Sequence, residues 1–193
     1  MAKIRLETPR DINAREQLID QAFGAARFRK AAERLRAGRL PADGLSFVAE
    51  DGDCLVGTVR LWHVTAGLQR PALLLGPLVV DPAFREEGIG SALMHHAIEA
   101  AQDGRHRAVL LVGDASYYGR FGFSDKKTGS LRLSGGYDPQ RFLALELQPS
   151  SLDGANGLVR ASGRRLPKLV QRPLVASVSG TIHPTALIWP RAA

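Results

Sequence analysis

The chain has 193 residues, 45% of them hydrophobic and 23% charged, values of a folded globular domain rather than a disordered chain. No apolar run nears the roughly 18 residues that suggest a membrane helix, the start lacks the apolar core of a secretory signal, and the single cysteine, Cys54, excludes an internal disulfide framework or a cysteine-built metal site. The net charge of +7 is uneven, with six of the 26 basic but one of the 19 acidic residues falling after position 149.

In chain order, Ile12, Leu18, Ile19, Ala22 and Phe23 recur at near-helical spacing behind Asp11, a residue suited to an N-cap. A second helix is predicted over residues 27–37, stopped by Gly38 and Pro41. Residues 27–39 hold six cations against Glu33 alone. Such a stretch either attracts a polyanion (nucleic acid, an anionic membrane or a phosphorylated small molecule) or forms a solvated helix face. Two strand-like runs, 45–50 and 54–64, flank Asp51-Gly52-Asp53 and predict a β-hairpin. Residues 73–80 form a third apolar strand. Gly76-Pro77 inside it predicts a bulge or a break in pairing, because proline removes a ladder donor.

Residues 89–102 read as a helix with Leu93, Met94, Ala97, Ile98, Ala100 and Ala101 on its apolar side, and residues 108–112 as a short buried strand. Strand, helix and strand in that order fit a right-handed parallel crossover. A short helix over 115–121 closes at Gly122, and residues 130–133 and 142–147 look like a final pair of strands. The expected fold is α/β, a mixed and mostly antiparallel sheet with a central parallel βαβ unit and flanking helices. A domain over residues 1–148 is then followed by a Gly- and Pro-containing basic and apolar extension over 149–193. The aliphatic side chains of residues 166–189 must be buried on the chain's own sheet or against a second subunit, and a homodimer is the favoured outcome.

The most informative segment joins the third strand to the long helix and contains Arg85-Glu-Glu-Gly88-Ile-Gly90-Ser91. Glycines let the backbone approach a ligand, and the unpaired N–H groups of a first helical turn favour phosphate. The spacing is neither the dinucleotide pattern nor a P-loop. Arg85-x-x-Gly88-x-Gly90 after a strand resembles the coenzyme A pyrophosphate loop of the Gcn5-related N-acetyltransferase (GNAT) superfamily. One strand further on, Tyr118-Gly-Arg-Phe-Gly122-Phe123 resembles that superfamily's Tyr-x-x-x-Gly-Phe segment. The resemblance covers roughly residues 3–148. Leu75-Gly-Pro-Leu-x-Val80 and Gly113-Asp-x-x-x-Tyr-x-Arg-Phe-Gly-Phe123 look like its YhbS-type branch.

The resemblance implies an acyl-CoA-dependent N-acyltransferase that uses acetyl-CoA and no metal. An amine from a small molecule or peptide would attack the thioester directly, through a tetrahedral oxyanion. It implies cofactor contacts from the backbone at Leu78, Val79 and Val80 and from the turn at Arg85, Glu86, Glu87, Gly88, Ile89, Gly90 and Ser91. Tyr118 becomes the general acid, since a phenol of pKa about 10 is protonated at neutral pH, whereas Tyr117 is expected to point elsewhere. The base stays open. Asp114 is a weak candidate whose alternative role is the N-cap of the tyrosine helix; His63 and a water chain are others, and His95 and His96 are expected to face solvent. Residues 73–80 contain no ionisable side chain, which keeps a CoA-binding sensor without catalysis as the alternative. No basic stretch is interleaved with aromatics as a nucleic-acid surface requires, no membrane contact is expected, and the composition suits a soluble cytoplasmic protein.

Overall fold

Side chains on β5 (Ala108–Val112) alternate between two cores, Val109 and Leu111 on one face of the sheet and Ala108 and Leu110 on the other. The computed structural model, which describes residues 2–167, surrounds this strand with a sheet ordered β1 (Lys3–Leu6), β2 (Ser46–Asp51), β3 (Cys54–Ala66), β4 (Arg70–Val80), β5 and β7 (Phe142–Glu146). Among the described residues only the β4–β5 pair in this sheet is parallel. The chain crosses between them through α3 (Ile89–Asp103). Leu93, Met94, Ala97 and Ala101 of α3 bury themselves on Phe47, Val59, Leu73, Val109 and Leu143. The hairpin predicted around Asp51-Gly52-Asp53 is present as β2 and β3.

The opposite face carries α1 (Ile12–Phe23) and α2 (Ala31–Arg36). Asp11 precedes α1 as expected, but its carboxylate does not cap that helix. It turns back to the Thr8 N–H at 2.7 Å and pairs with Arg5. The helix expected over 27–37 is split into a 3-10 turn, Ala25–Arg29, and the six residues of α2. Three buried charges join these parts, with Glu7 between Arg15 of α1 and Arg60 of β3.

The strand interruption at Gly76-Pro77 is a register shift rather than an end. Val59 pairs with Leu78, but Leu61 pairs with Leu75, so β4 holds one extra residue there. Side-chain parity flips with it. Leu73 and Leu75 before the shift, and Leu78 and Val80 after it, all pack on the α3 side, while Val79 packs on Leu18 and Ile19 of α1.

Residues 130–133 and 142–147 do not pair with each other. β6 (Leu131–Arg132) pairs in parallel with β8 (Gly157–Leu158) in a small second sheet, whereas β7 lies antiparallel on β5. Residues 149–167 add β8 and β9 (Arg160–Ala161), the latter on β3, and bury Leu152, Ala155 and Val159 against the second core. The remainder of the apolar arm, and with it the expected dimer contact, lies outside the described residues. Among the described residues no helix is long and apolar enough to cross a membrane.

Candidate active site

β4 and β5 are paired only at Leu73–Val109 and Leu74–Leu110. Beyond them the strands diverge around a cleft of about 810 Å³. Its origin is the shift at Gly76, whose carbonyl accepts a 2.6 Å hydrogen bond from the Trp62 indole. Asp81 N–H donates to Val56 O on β3, so by alternation the Val79 N–H also faces β3. The Leu78 and Val80 N–H groups therefore face the open edge. Leu78, Val79 and Val80 all line the cleft.

At one end stands the turn after β4. Asp81 starts it by accepting from Ala83 N–H at 2.8 Å. Glu86 (φ 75°) and Gly88 (φ 78°) both adopt left-handed conformations, and Gly88 is the N-cap of α3. The positive φ at Glu86 had no signal in the sequence, since a glutamate rarely takes it. Arg85, Glu86, Gly88, Ile89, Gly90 and Ser91 line the cleft, whereas Glu87 is exposed and does not. The two glycines act differently. Gly88 has open space around it and is required by its φ angle, while a β-carbon at Gly90 would lie 2.8 Å from the Tyr117 hydroxyl.

Asp114 follows β5 and caps α4 (Ala115–Tyr118), accepting from Ser116 N–H at 2.8 Å and Ser116 hydroxyl at 2.7 Å. These hydrogen bonds hold its carboxyl below the usual range. Tyr117 and Tyr118 both line the cleft, their rings edge to face at 4.9 Å. The Arg120 guanidinium covers the Tyr117 ring at 4.2 Å. Tyr118 lies against Gly113, where any side chain would collide with its ring. Burial pushes the Tyr118 phenol up to about 12, Tyr117 adds to this, and Arg141 opposes it. His63 lies apart from the cleft, 5.5 Å ring to ring from His106, and His95 and His96 are exposed on α3.

The other end of the cleft was not expected. Lys30, Glu33, Arg36, Tyr137 and Arg141 line it. Arg36 is buried, 2.7 Å from Glu33, and burial lowers its pKa. Its guanidinium reaches Gly76, where a β-carbon would stand 3.1 Å from Nη1. The six cations of residues 27–39 were visible as a charge excess, but nothing in the sequence marks which of them turns inward. Among the described residues no cluster of three or more His, Cys, Asp or Glu could hold a metal ion.

Comparison with known proteins places this geometry. Residues 42–125 match the family model described as "Acetyltransferase (GNAT) domain". The chain is 27% identical over 157 residues to an uncharacterised N-acetyltransferase, YhbS, of Escherichia coli K12, covering 81% of this chain and 93% of that protein. The crystal structure of E. coli YhbS in complex with CoA superposes with a TM-score of 0.70, 27% identity and coverage of 83% and 89%. A GNAT acetyltransferase from Brucella melitensis in complex with acetyl-CoA superposes with a TM-score of 0.62, 27% identity and coverage of 84% and 96%. The sheet that opens between β4 and β5, the glycine turn and the sequence likeness agree, and over residues 42–125 the chain is similar to the acetyltransferase (GNAT) domain.

Proposed function

We propose that the chain transfers acetyl from acetyl-CoA to an amine by direct attack through a tetrahedral oxyanion. The observation that carries this reading is the meeting, in one cleft, of the open β4 edge, the glycine turn and the Tyr118 phenol. Leu78 and Val80 offer backbone groups to the pantetheine arm as a sheet edge does to an added strand. One of these N–H groups serves the oxyanion, a donor whose loss costs on the order of 100-fold or more. Arg85, with the residues from Glu86 to Ser91, takes the phosphates at the positive end of α3. The nitrogen bonds to the carbonyl carbon, the C–S bond breaks, and the electron pair leaves on sulfur.

Tyr118 then gives its proton to that sulfur. A phenol raised to about 12 keeps its proton at every working pH. Asp114 is spent as the N-cap of α4, and its lowered pKa makes it a poor base. Water in the open cleft takes the proton of the attacking ammonium instead. Incubating the full chain with acetyl-CoA and a panel of primary amines tests the reading. Free thiol and acetylated amine should appear together. Thiol that accumulates without any acetylated amine, or none with any amine, would contradict it.

A further inference from the structure

Arg36 is an arginine only part of whose donor fork is engaged. Its side chain is 9% exposed, and it lines the cleft where β4 shifts register. Nη2 donates to Glu33 at 2.7 Å, yet buried Nε has no hydrogen-bond partner among the described residues. A guanidinium presents its donors as a fork that fits the two oxygens of a carboxylate or phosphate. Two more cations face the same space. Lys30 Nζ stands 3.9 Å from the Phe23 ring, and neither Lys30 nor Arg141 has a carboxylate within 4 Å among the described residues. Burial lowers the Lys30 pKa, Arg141 and Arg36 lower it further as like charges do, and Glu33 opposes them.

The carboxylates nearby are already engaged. Glu33 pairs with Arg36, Asp138 accepts from Gln140 N–H at 3.0 Å, and Asp114 caps α4. Arg27 also lines this end but is paired with Glu16 and Asp20. Arg27 aside, the chamber thus holds three cations, of which only Arg36 is ion-paired among the described residues, beside the three carboxylates of Glu33, Asp138 and Asp114. It is separate from the phosphate end, because Gly90 approaches Val80 while Arg36 approaches Gly76, four strand residues or about 13 Å away.

We propose that this inner chamber binds the acceptor, and that the acceptor is an amine carrying an oxyanion group gripped by Arg36 together with Lys30 and Arg141. The idea rests on the acetyltransferase reading and narrows it to a substrate class. The anion anchors the acceptor beside the Gly76 shift, and the amine is left to reach the thioester along β4. Carboxylate and phosphate share this chemistry, and matched probes separate them.

The test compares ω-amino carboxylates with n-alkylamines of equal length, and phosphoethanolamine with ethanolamine, by thiol release from acetyl-CoA. The anionic member of at least one pair should show kcat/KM about ten-fold higher or more. Lys30→Met, Arg141→Met and Arg36→Met should erase that preference. The exposed positions 30 and 141 keep the test alive if the Arg36 variant fails to fold. A readout without turnover is calorimetric titration of CoA-loaded protein with glutarate and with inorganic phosphate. One of them should bind saturably, and the same variants should abolish it.

Equal or better use of the neutral amines, or failure of both glutarate and phosphate to bind, would overturn the proposal. So would loss of acetyl-CoA affinity in the three variants, which would give these cations to the cofactor. If acetyl-CoA binds but no preference for anions exists, the acceptor proposal alone fails. If acetyl-CoA does not bind the wild-type chain, the acetyltransferase reading fails beneath it.

Discussion

A β-carbon at Gly90 would lie 2.8 Å from the Tyr117 hydroxyl, so the first turn of α3 and the helix after β5 meet at the mouth of the cleft. The tip of a tyrosine can yield, and Gly90 has an ordinary helical backbone. Gly90→Val should therefore fold. It should displace Tyr117 and fill the phosphate end, lowering acetyl-CoA affinity on the order of 100-fold, roughly 2.8 kcal/mol. Calorimetry on the folded variant checks this, and undiminished affinity would remove the turn from the cofactor site. Gly88→Ala acts through backbone strain instead. With φ at 78° it should cost about 1–2 kcal/mol of stability in a denaturant titration.

Tyr118→Phe should lower kcat on the order of 100-fold while leaving acetyl-CoA affinity within a few-fold, because it removes a proton donor and keeps the ring. Tyr117→Phe should change kcat much less and act on KM for acetyl-CoA, since its hydroxyl sits beside Gly90 rather than deeper in the slot. The expectation that Tyr117 points elsewhere was too simple, as both phenols line the cleft. Steady-state kinetics of the two variants separates the roles, and equal small effects would place the acid elsewhere.

The dependence on pH follows from the same phenol. Tyr118 must be protonated to donate, and its pKa is raised to about 12, so its protonated fraction falls only above about pH 11. Asp114 is held below the usual carboxylate range and is already ionised throughout the neutral region. The profile of kcat/KM should therefore rise with the free amine and show no falling limb between pH 7 and 10. A falling limb near pH 9 would identify a different acid.

Much of this was legible in advance, and the misses have local causes. Long periodic segments such as α3, and apolar runs such as β5, declare themselves because burial on one face or both leaves a pattern. The four residues of β1, with intermediate and exposed positions only, leave none. The partner of β6 was misjudged because a two-residue strand is placed by long-range packing, here by the segment around residue 157. The glycine turn was readable since φ above zero calls for glycine at Gly88, while Glu86 takes the same conformation unannounced. Arg36 was missed for a deeper reason. Charge counts sum over a helix, and one buried guanidinium looks like its solvated neighbours until the fold turns it inward.

Glu7 holds the N-terminal segment to the sheet between two guanidiniums, with Arg15 and Glu7 side chains 6% and 7% exposed. Glu7→Ala should destabilise the chain by about 3 kcal/mol, because the mostly buried Arg60 charge would then lose its carboxylate, while Arg15 keeps Glu16. Replacing Arg15 and Arg60 by methionine in the same variant should recover a large part of that loss. Denaturant unfolding at constant m-value checks both. A Glu7→Ala loss below about 1 kcal/mol would show that water reaches the site.

The central claim is that the slot opened where β4 leaves β5 seats the cofactor, and backbone hydrogen exchange with and without acetyl-CoA tests it most directly. The N–H groups of Leu78 and Val80 face the open edge, while that of Val79 is turned to β3. Saturating acetyl-CoA should slow exchange at Leu78 and Val80, and across the turn from Glu86 to Ser91, while Val79 changes little. Acetyl-CoA that binds and leaves Leu78, Val80 and the turn exchanging as before would contradict the account.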